Sequence, residues 1–177
     1  ARRLSARDGL AVVKVLTRQD GDVADNRIPL FLWWAVEARC AEHRDDVIQL
    51  FADPDFWQRP MVETHLIERT ARRFALAGSR QDLLACARLF ELSPTPEHSR
   101  RLMAGFETAF KGRTLAGLPD ALVAAMARHG GKRREMGEVI RRHYPVRLDE
   151  SCRYPDCLCT GSGRIVKRLS TKPAKDS

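Results

Sequence analysis

The run Asp25–Cys40, DNRIPLFLWWAVEARC, constrains the fold more than any other stretch, because it joins a helix start signal to the densest apolar segment and two of the three tryptophans. Asp25 or Asn26 can accept hydrogen bonds from the free N–H groups of a first turn, and Pro29 falls where its missing N–H costs little. Ile28, Leu30, Phe31, Leu32, Trp33, Trp34, Ala35, Val36 and Ala38 leave almost no polar face outside Glu37 and Arg39. Neighbours are therefore expected to pack around most of this helix, with Trp33 and Trp34 in the core. The run is about a dozen residues, short of the roughly 20 needed to cross a bilayer. It is predicted to be the central helix of an α-domain.

The segments on either side repeat the helical period. Leu10, Val12, Val13, Val15 and Leu16 predict a helix over Gly9–Arg18 with Asp8 as a capping residue. QDGDVADN then breaks the pattern. Asp20, Asp22 and Asp25 imitate a calcium loop, but neither the Gly at its sixth position nor the Glu at its twelfth is present, and the stretch is read as a helix-capping connection. Asp45 or Asp46 starts a short helix that DPDF ends. Residues 60–77 form one predicted helix with Val62, Leu66, Ile67, Ala71 and Phe74 inward, stopped by Gly78. Further helices are expected from Ser79 to the SPTP turn, over Glu97–Lys111, through Leu122, Val123 and Met126, and more weakly over Lys132–His143. No stretch shows a period of two, so no sheet is assigned.

The predicted fold class is thus all-α. Ten- to eighteen-residue helices joined by short turns suit antiparallel pairs of about 40 residues, as in a HEAT- or armadillo-like α-solenoid fragment, with a single globular α-bundle as the structural alternative. The predicted organisation is a helical repeat-like domain over residues 1–143 and a basic, disordered, cysteine-bearing tail over 144–177. The chain starts at Ala1 without an apolar leader core and reads as a fragment or a processed chain.

The formal charge of +8 points to an anionic partner. However, six of those eight excess charges lie from Lys132 onward, where a solvated tail accounts for them. Arg69, Arg72 and Arg73 could meet phosphate, although Glu63 and Glu68 stand one turn away and offer pairing within the helix. Cys40 and Cys86 sit in apolar patterns and are expected to be buried thiols. Cys152, Cys157 and Cys159, in CRYPDCLC, are the weak metal candidates, with His143 the nearest further donor; their spacing matches no familiar zinc knuckle. His43, His65, His98, His129 and His143 show neither H-E-x-x-H spacing nor a partnered nucleophile, and are read as residues of helix surfaces and ends. No catalytic or cofactor-binding residue is assigned.

Five stretches together resemble a known family: DGLAVVKVL at 8–16, DNRIPLFLWWAVEA at 25–38, IERTARRFALAG at 67–78, LLACARLF at 83–90 and GFETAFKGR at 105–113. They are similar to the helical middle region of the large planctomycete-type proteins described as membrane-bound dehydrogenases or haem-binding proteins. The resemblance covers residues 1–128, and its most specific part is the motif of Asp25, Ile28, Pro29, Trp33, Trp34 and Glu37. It implies HEAT-like helices lying between a dehydrogenase-like β-propeller and a cytochrome c-like domain, in an exported or membrane-associated protein. Any haem c would belong to that other domain, since a covalent haem needs C-x-x-C-H and this chain has no such motif.

Two functions follow as expectations. The first is a non-catalytic helical scaffold whose partners are other domains of the same or a partner redox protein. The alternative is a basic α-solenoid binding nucleic-acid phosphate through Arg69, Arg72, Arg73, Arg100, Arg101, Lys111 and Arg113 on one concave face.

Overall fold

Several of the helices start where short polar side chains take up free N–H groups of a first turn. In the computed structural model, which describes residues 4–113 and 117–129, Ser5 accepts from the Asp8 amide at 3.1 Å and opens α1 (Ala6–Leu16). That start is three residues earlier than the sequence pattern predicted, because Ser5 and not Asp8 is the cap. A 3-10 turn at Asp20–Asp22 follows. Asp25 then accepts from the amides of Arg27 and Ile28, at 2.7 and 2.8 Å, and opens α2 (Ile28–Glu37) with Pro29 in its first turn. Those two backbone bonds hold the Asp25 carboxyl below the usual carboxylate range.

The chain continues through α3 (Arg44–Leu50), α4 (Pro54–Trp57), α5 (Pro60–His65), α6 (Ile67–Ala77), α7 (Arg80–Leu92), α8 (Pro96–Phe110) and α9 (Asp120–His129). No strand occurs among the described residues, and the fold is all-α. DPDF does more than end α3: Asp53 accepts from the Asp55 amide at 3.1 Å and starts a helical turn of its own. The single helix expected over 60–77 is divided at Leu66, whose φ is −107°. There the Thr70 hydroxyl donates to the Leu66 carbonyl at 2.7 Å, a back-bond of the kind that bends helices. Gly78 ends α6 in the left-handed conformation, as the sequence pattern predicted.

The helices pack in two rows. α6 lies along α8, and α7 lies along α9. Both neighbours run parallel: Arg113, just past α8, reaches Gly78 at the end of α6, and Arg128 late in α9 pairs with Glu91 late in α7 at 3.1 Å. α2 packs on α1, α5 and α6, while α3 packs on α1 and α7. Gly105 sets the closest crossing. A Cβ there would lie 3.0 Å from the Glu68 carbonyl carbon and 3.1 Å from the Arg72 amide nitrogen, with the Glu68 oxygen nearer still. Only glycine lets α8 come this close to the backbone of α6.

An aromatic cluster forms where α3 runs into α4. Phe56 and Trp57 meet Phe51 edge-on, with centroids 5.3 and 5.0 Å away, and the Trp57 indole N–H donates to the Phe51 carbonyl at 2.8 Å. This satisfies the one polar atom of a fully buried ring. Arg44 of α3 ties the other row: its Nε and Nη2 each stand 2.7 Å from a carboxylate oxygen of the buried Asp82 on α7.

Candidate interaction surface

The apolar run that opened the sequence argument has two fates. Pro29, Leu32, Trp33, Ala35 and Val36 face inward, whereas Leu30, Phe31 and Trp34 point away from the neighbouring helices. Trp33 is 9% exposed and Trp34 is 52% exposed, so the expectation that both rings are core residues holds for the first and fails for the second. Helix α2 is correspondingly an edge helix and not a central one. The physical reason is that residue type records how apolar a face is, not whether this chain supplies its neighbour. Phe31, 56% exposed, stacks at a tilt on Trp34 with centroids 5.6 Å apart. Adjacent α1 repeats the arrangement: Leu10 and Val13 are buried, while Val12, Val15 and Leu16 are exposed.

The remaining residues of the 25–37 motif hold this surface in place. Asp25 caps α2, the half-buried Ile28 packs against the core, and Pro29 is buried in the first turn. Glu37 stands 3.8 Å from Arg73 of α6. Just beyond α2, the buried Arg39 folds back so that Nη1 donates to the Ala35 carbonyl at 2.7 Å. Its guanidinium presses on Gly9 of α1, with Nη2 nearest and Cζ 2.6 Å and Nε 3.0 Å from where a Cβ would sit. The missing side chain of Gly9 thus makes room for the Arg39 cation between α1 and the end of α2.

The basic residues proposed for phosphate are partly engaged. Arg73 turns to Glu37 rather than to an acid of its own helix. Arg100 and Arg101 both pair with Glu97, and the Arg113 guanidinium lies over the Phe110 ring at 5.1 Å.

His98 lies at a helix end, one of the two positions expected for it, but inward and not on a surface. It is buried beside Trp57, with Nδ1 3.0 Å from the Thr95 hydroxyl and Nε2 3.5 Å from Glu63. Burial outweighs the Glu63 carboxylate and holds the imidazole below its ordinary pKa. Ser93 and Ser99 are near in sequence, but their hydroxyls bond each other at 2.9 Å and the Thr95 carbonyl. This is the bonding of a helix-capping knot, not of a nucleophile and its base. The signal that could have located His98 is the pair of flanking turn residues, Thr95 and Pro96, which fix it in the first turn of α8.

Cys40 and Cys86 are buried free thiols, as the sequence suggested. Burial pushes Cys40 up to about 12 and raises Cys86 as well, so neither forms thiolate readily near neutral pH. No group of three or more His, Cys, Asp or Glu among the described residues is arranged to hold a metal ion. Cys152, Cys157, Cys159 and His143, like the tail expected over 144–177 and the helix expected over Lys132–His143, lie outside the described residues. No helix among the described residues is long and apolar enough to cross a membrane. Neither a family model, nor a curated protein, nor a solved structure matches this chain.

Proposed function

We propose that this chain is a non-catalytic helical scaffold that uses the outer face of α1 and α2 to dock another protein surface. The observation that carries the reading is the exposure of Leu30, Phe31 and Trp34 beside an otherwise well-filled core. An aromatic pair in contact and left in water is costly for a monomer and characteristic of a contact surface. The parallel pairing of α6 with α8 and of α7 with α9 supports stacked helix pairs of the HEAT-like kind, in which each pair is covered by the next. The resemblance to the middle region of dehydrogenase and haem-binding proteins supplies a context, in which such a module joins and positions redox domains without carrying out their chemistry. Arg73, Arg100, Arg101 and Arg113, four of the seven residues named for phosphate, are each engaged with another side chain, which favours protein docking over phosphate binding.

The test is to replace Phe31 and Trp34 together by serine and follow circular dichroism, thermal melting and binding of a hydrophobic dye. A docking surface predicts unchanged helicity, a melting temperature within a few degrees of the original and a clear loss of dye binding. Unfolding of the double variant would show instead that the face belongs to the core.

A further inference from the structure

The solvent side of the α6–α8 contact carries cations that the fold leaves unused. One register holds along the whole contact: His98 stands by Glu63, Gly105 lies over the backbone of Glu68 and Arg72, and Arg113 reaches Gly78. Each step along α8 therefore matches an equal step along α6. Ile67, Ala71 and Phe74 of α6, with Leu102 and Phe106 of α8, are buried on the core side of this contact. At about 100° of turn per residue, Arg69 and Arg72 of α6 and Arg101 of α8 fall on its other side. In this register Arg101 is level with Leu66, only ~4.5 Å of rise before Arg69. The three guanidinium groups thus border one stretch of groove.

Two of them are short of acceptors. Arg69 Nη1 and Arg101 Nε are buried and have no hydrogen-bond partner among the described residues. Arg101 Nε stands 3.6 Å from Glu97, a carboxylate already engaged by Arg100. Among the described residues the side chains of Arg69 and Arg72 make no ion pair, although Glu68 is one turn from Arg72. A buried charged donor with no acceptor is costly, and its presence in a native fold calls for an acceptor from outside. The planar fork of arginine suits a carboxylate or a phosphate. The groove also adjoins the exposed aromatic pair, since Arg73, one turn on from Arg69, faces Glu37 of α2 at 3.8 Å and Trp34 lies one turn before Glu37.

We infer that this groove receives acidic side chains of a partner protein, whose apolar residues rest on Phe31 and Trp34. The partner's carboxylates accept from Arg69 and Arg101, and Arg72 adds charge. The neighbouring aromatic surface favours a protein segment over a bare phosphate, because it offers apolar contact that an inorganic ion leaves unused. The inference rests on the docking role proposed above and names the chemistry of the partner.

Fluorescence anisotropy of the full chain tests it, with a labelled peptide that joins a glutamate-rich half to a half containing leucine and phenylalanine, and with its glutamine counterpart. The glutamate form should bind about tenfold tighter or more at low salt, and the difference should shrink as salt rises. Arg69→Ala with Arg101→Ala should erase the preference, and Arg69→Lys with Arg101→Lys should keep part of it. Arg88→Ala, whose guanidinium pairs with Asp45 elsewhere, should leave it unchanged. Because the two buried nitrogens bond to nothing in the fold, the double alanine variant should melt within a few degrees of the original. A glutamate preference that survives loss of both arginines, a double alanine variant that unfolds, or displacement of the acidic peptide by micromolar inorganic phosphate would each overturn the inference, the last moving the site to phosphate. Equal binding of the two peptides that still depends on Phe31 and Trp34 would overturn it too, while leaving the docking role with a neutral partner.

Discussion

Replacing Gly105 by alanine tests the packing of α6 on α8 at its tightest point. On an exposed helix position this change stabilises by about 1 kcal/mol, because alanine loses less backbone freedom than glycine. Here the added methyl meets backbone on two sides, at 3.0 Å from the Glu68 carbonyl carbon and 3.1 Å from the Arg72 nitrogen, with the Glu68 oxygen closer. Backbone atoms of a helix cannot rotate aside as a side chain can, so α8 must move outward until contacts return to about 3.5 Å or more, a shift on the order of 1 Å. That gap opens along the buried side chains the two helices share, Leu102, Phe106 and Ala109 against Ile67, Ala71 and Phe74. A radial gap of this size forfeits roughly a quarter to a half of each contact. Overpacking of this type costs about 1–3 kcal/mol and can exceed that, which outweighs the propensity gain and makes the net change destabilising. Urea unfolding followed by far-ultraviolet circular dichroism measures it, with Ala104→Gly on the exposed side of α8 as the propensity control. A Gly105→Ala variant as stable as the original, or more so, would refute the close crossing.

The tryptophans should separate by position. Trp57→Ala should cost about 3–5 kcal/mol in chemical denaturation, since the ring is fully buried and its N–H satisfied, whereas Trp34→Ala should cost less than about 1 kcal/mol. Asp82→Ala removes the buried carboxylate that accepts from both Arg44 and the Ser79 hydroxyl, while the amide of residue 82 keeps its bond to Ser79, and an unfolding loss of about 2–4 kcal/mol is expected. Burial depresses the folded-state pKa of His98 below its unfolded value of 6.5, so the unfolded chain binds the extra proton first. The contribution of the neutral imidazole is therefore complete above pH 6.5 and is lost as the pH falls from there toward the folded-state pKa. Melting curves recorded across that window should show the decline, and His98→Gln should flatten it.

The helical class and the capping chemistry were legible from local signals: Asp25 before Pro29, the Gly78 stop, and the apolar spacing of α6 and α7. These depend on the backbone within a few residues, and sequence reports them directly. What failed depended on partners distant along the chain. The fates of Trp33 and Trp34 differ only by which side of α2 meets α1, α5 and α6, and a run that is apolar all round carries no mark of that choice. For Arg69, Arg72 and Arg73 the sequence offers only the acids one turn away or solvent, yet Arg73 faces Glu37 of another helix. Gly105 and Gly9 carry no local mark of what they do. Their purpose, one against the backbone of α6 and the other against a guanidinium, appears only when the crossing elements are in place.

The helix pairs are also fastened by different chemistry. α6 and α8 are locked through backbone at Gly105, a contact that salt does not touch. Along α3, α7 and α9 the cross-links include Arg88 to Asp45 at 2.7 Å and Arg128 to Glu91 at 3.1 Å, both in solvent, where such pairs contribute little and are screened by ions. Rising ionic strength therefore weakens only these outermost fastenings of α3, α7 and α9, while the buried Arg44–Asp82 pair and the Gly105 crossing keep their hold.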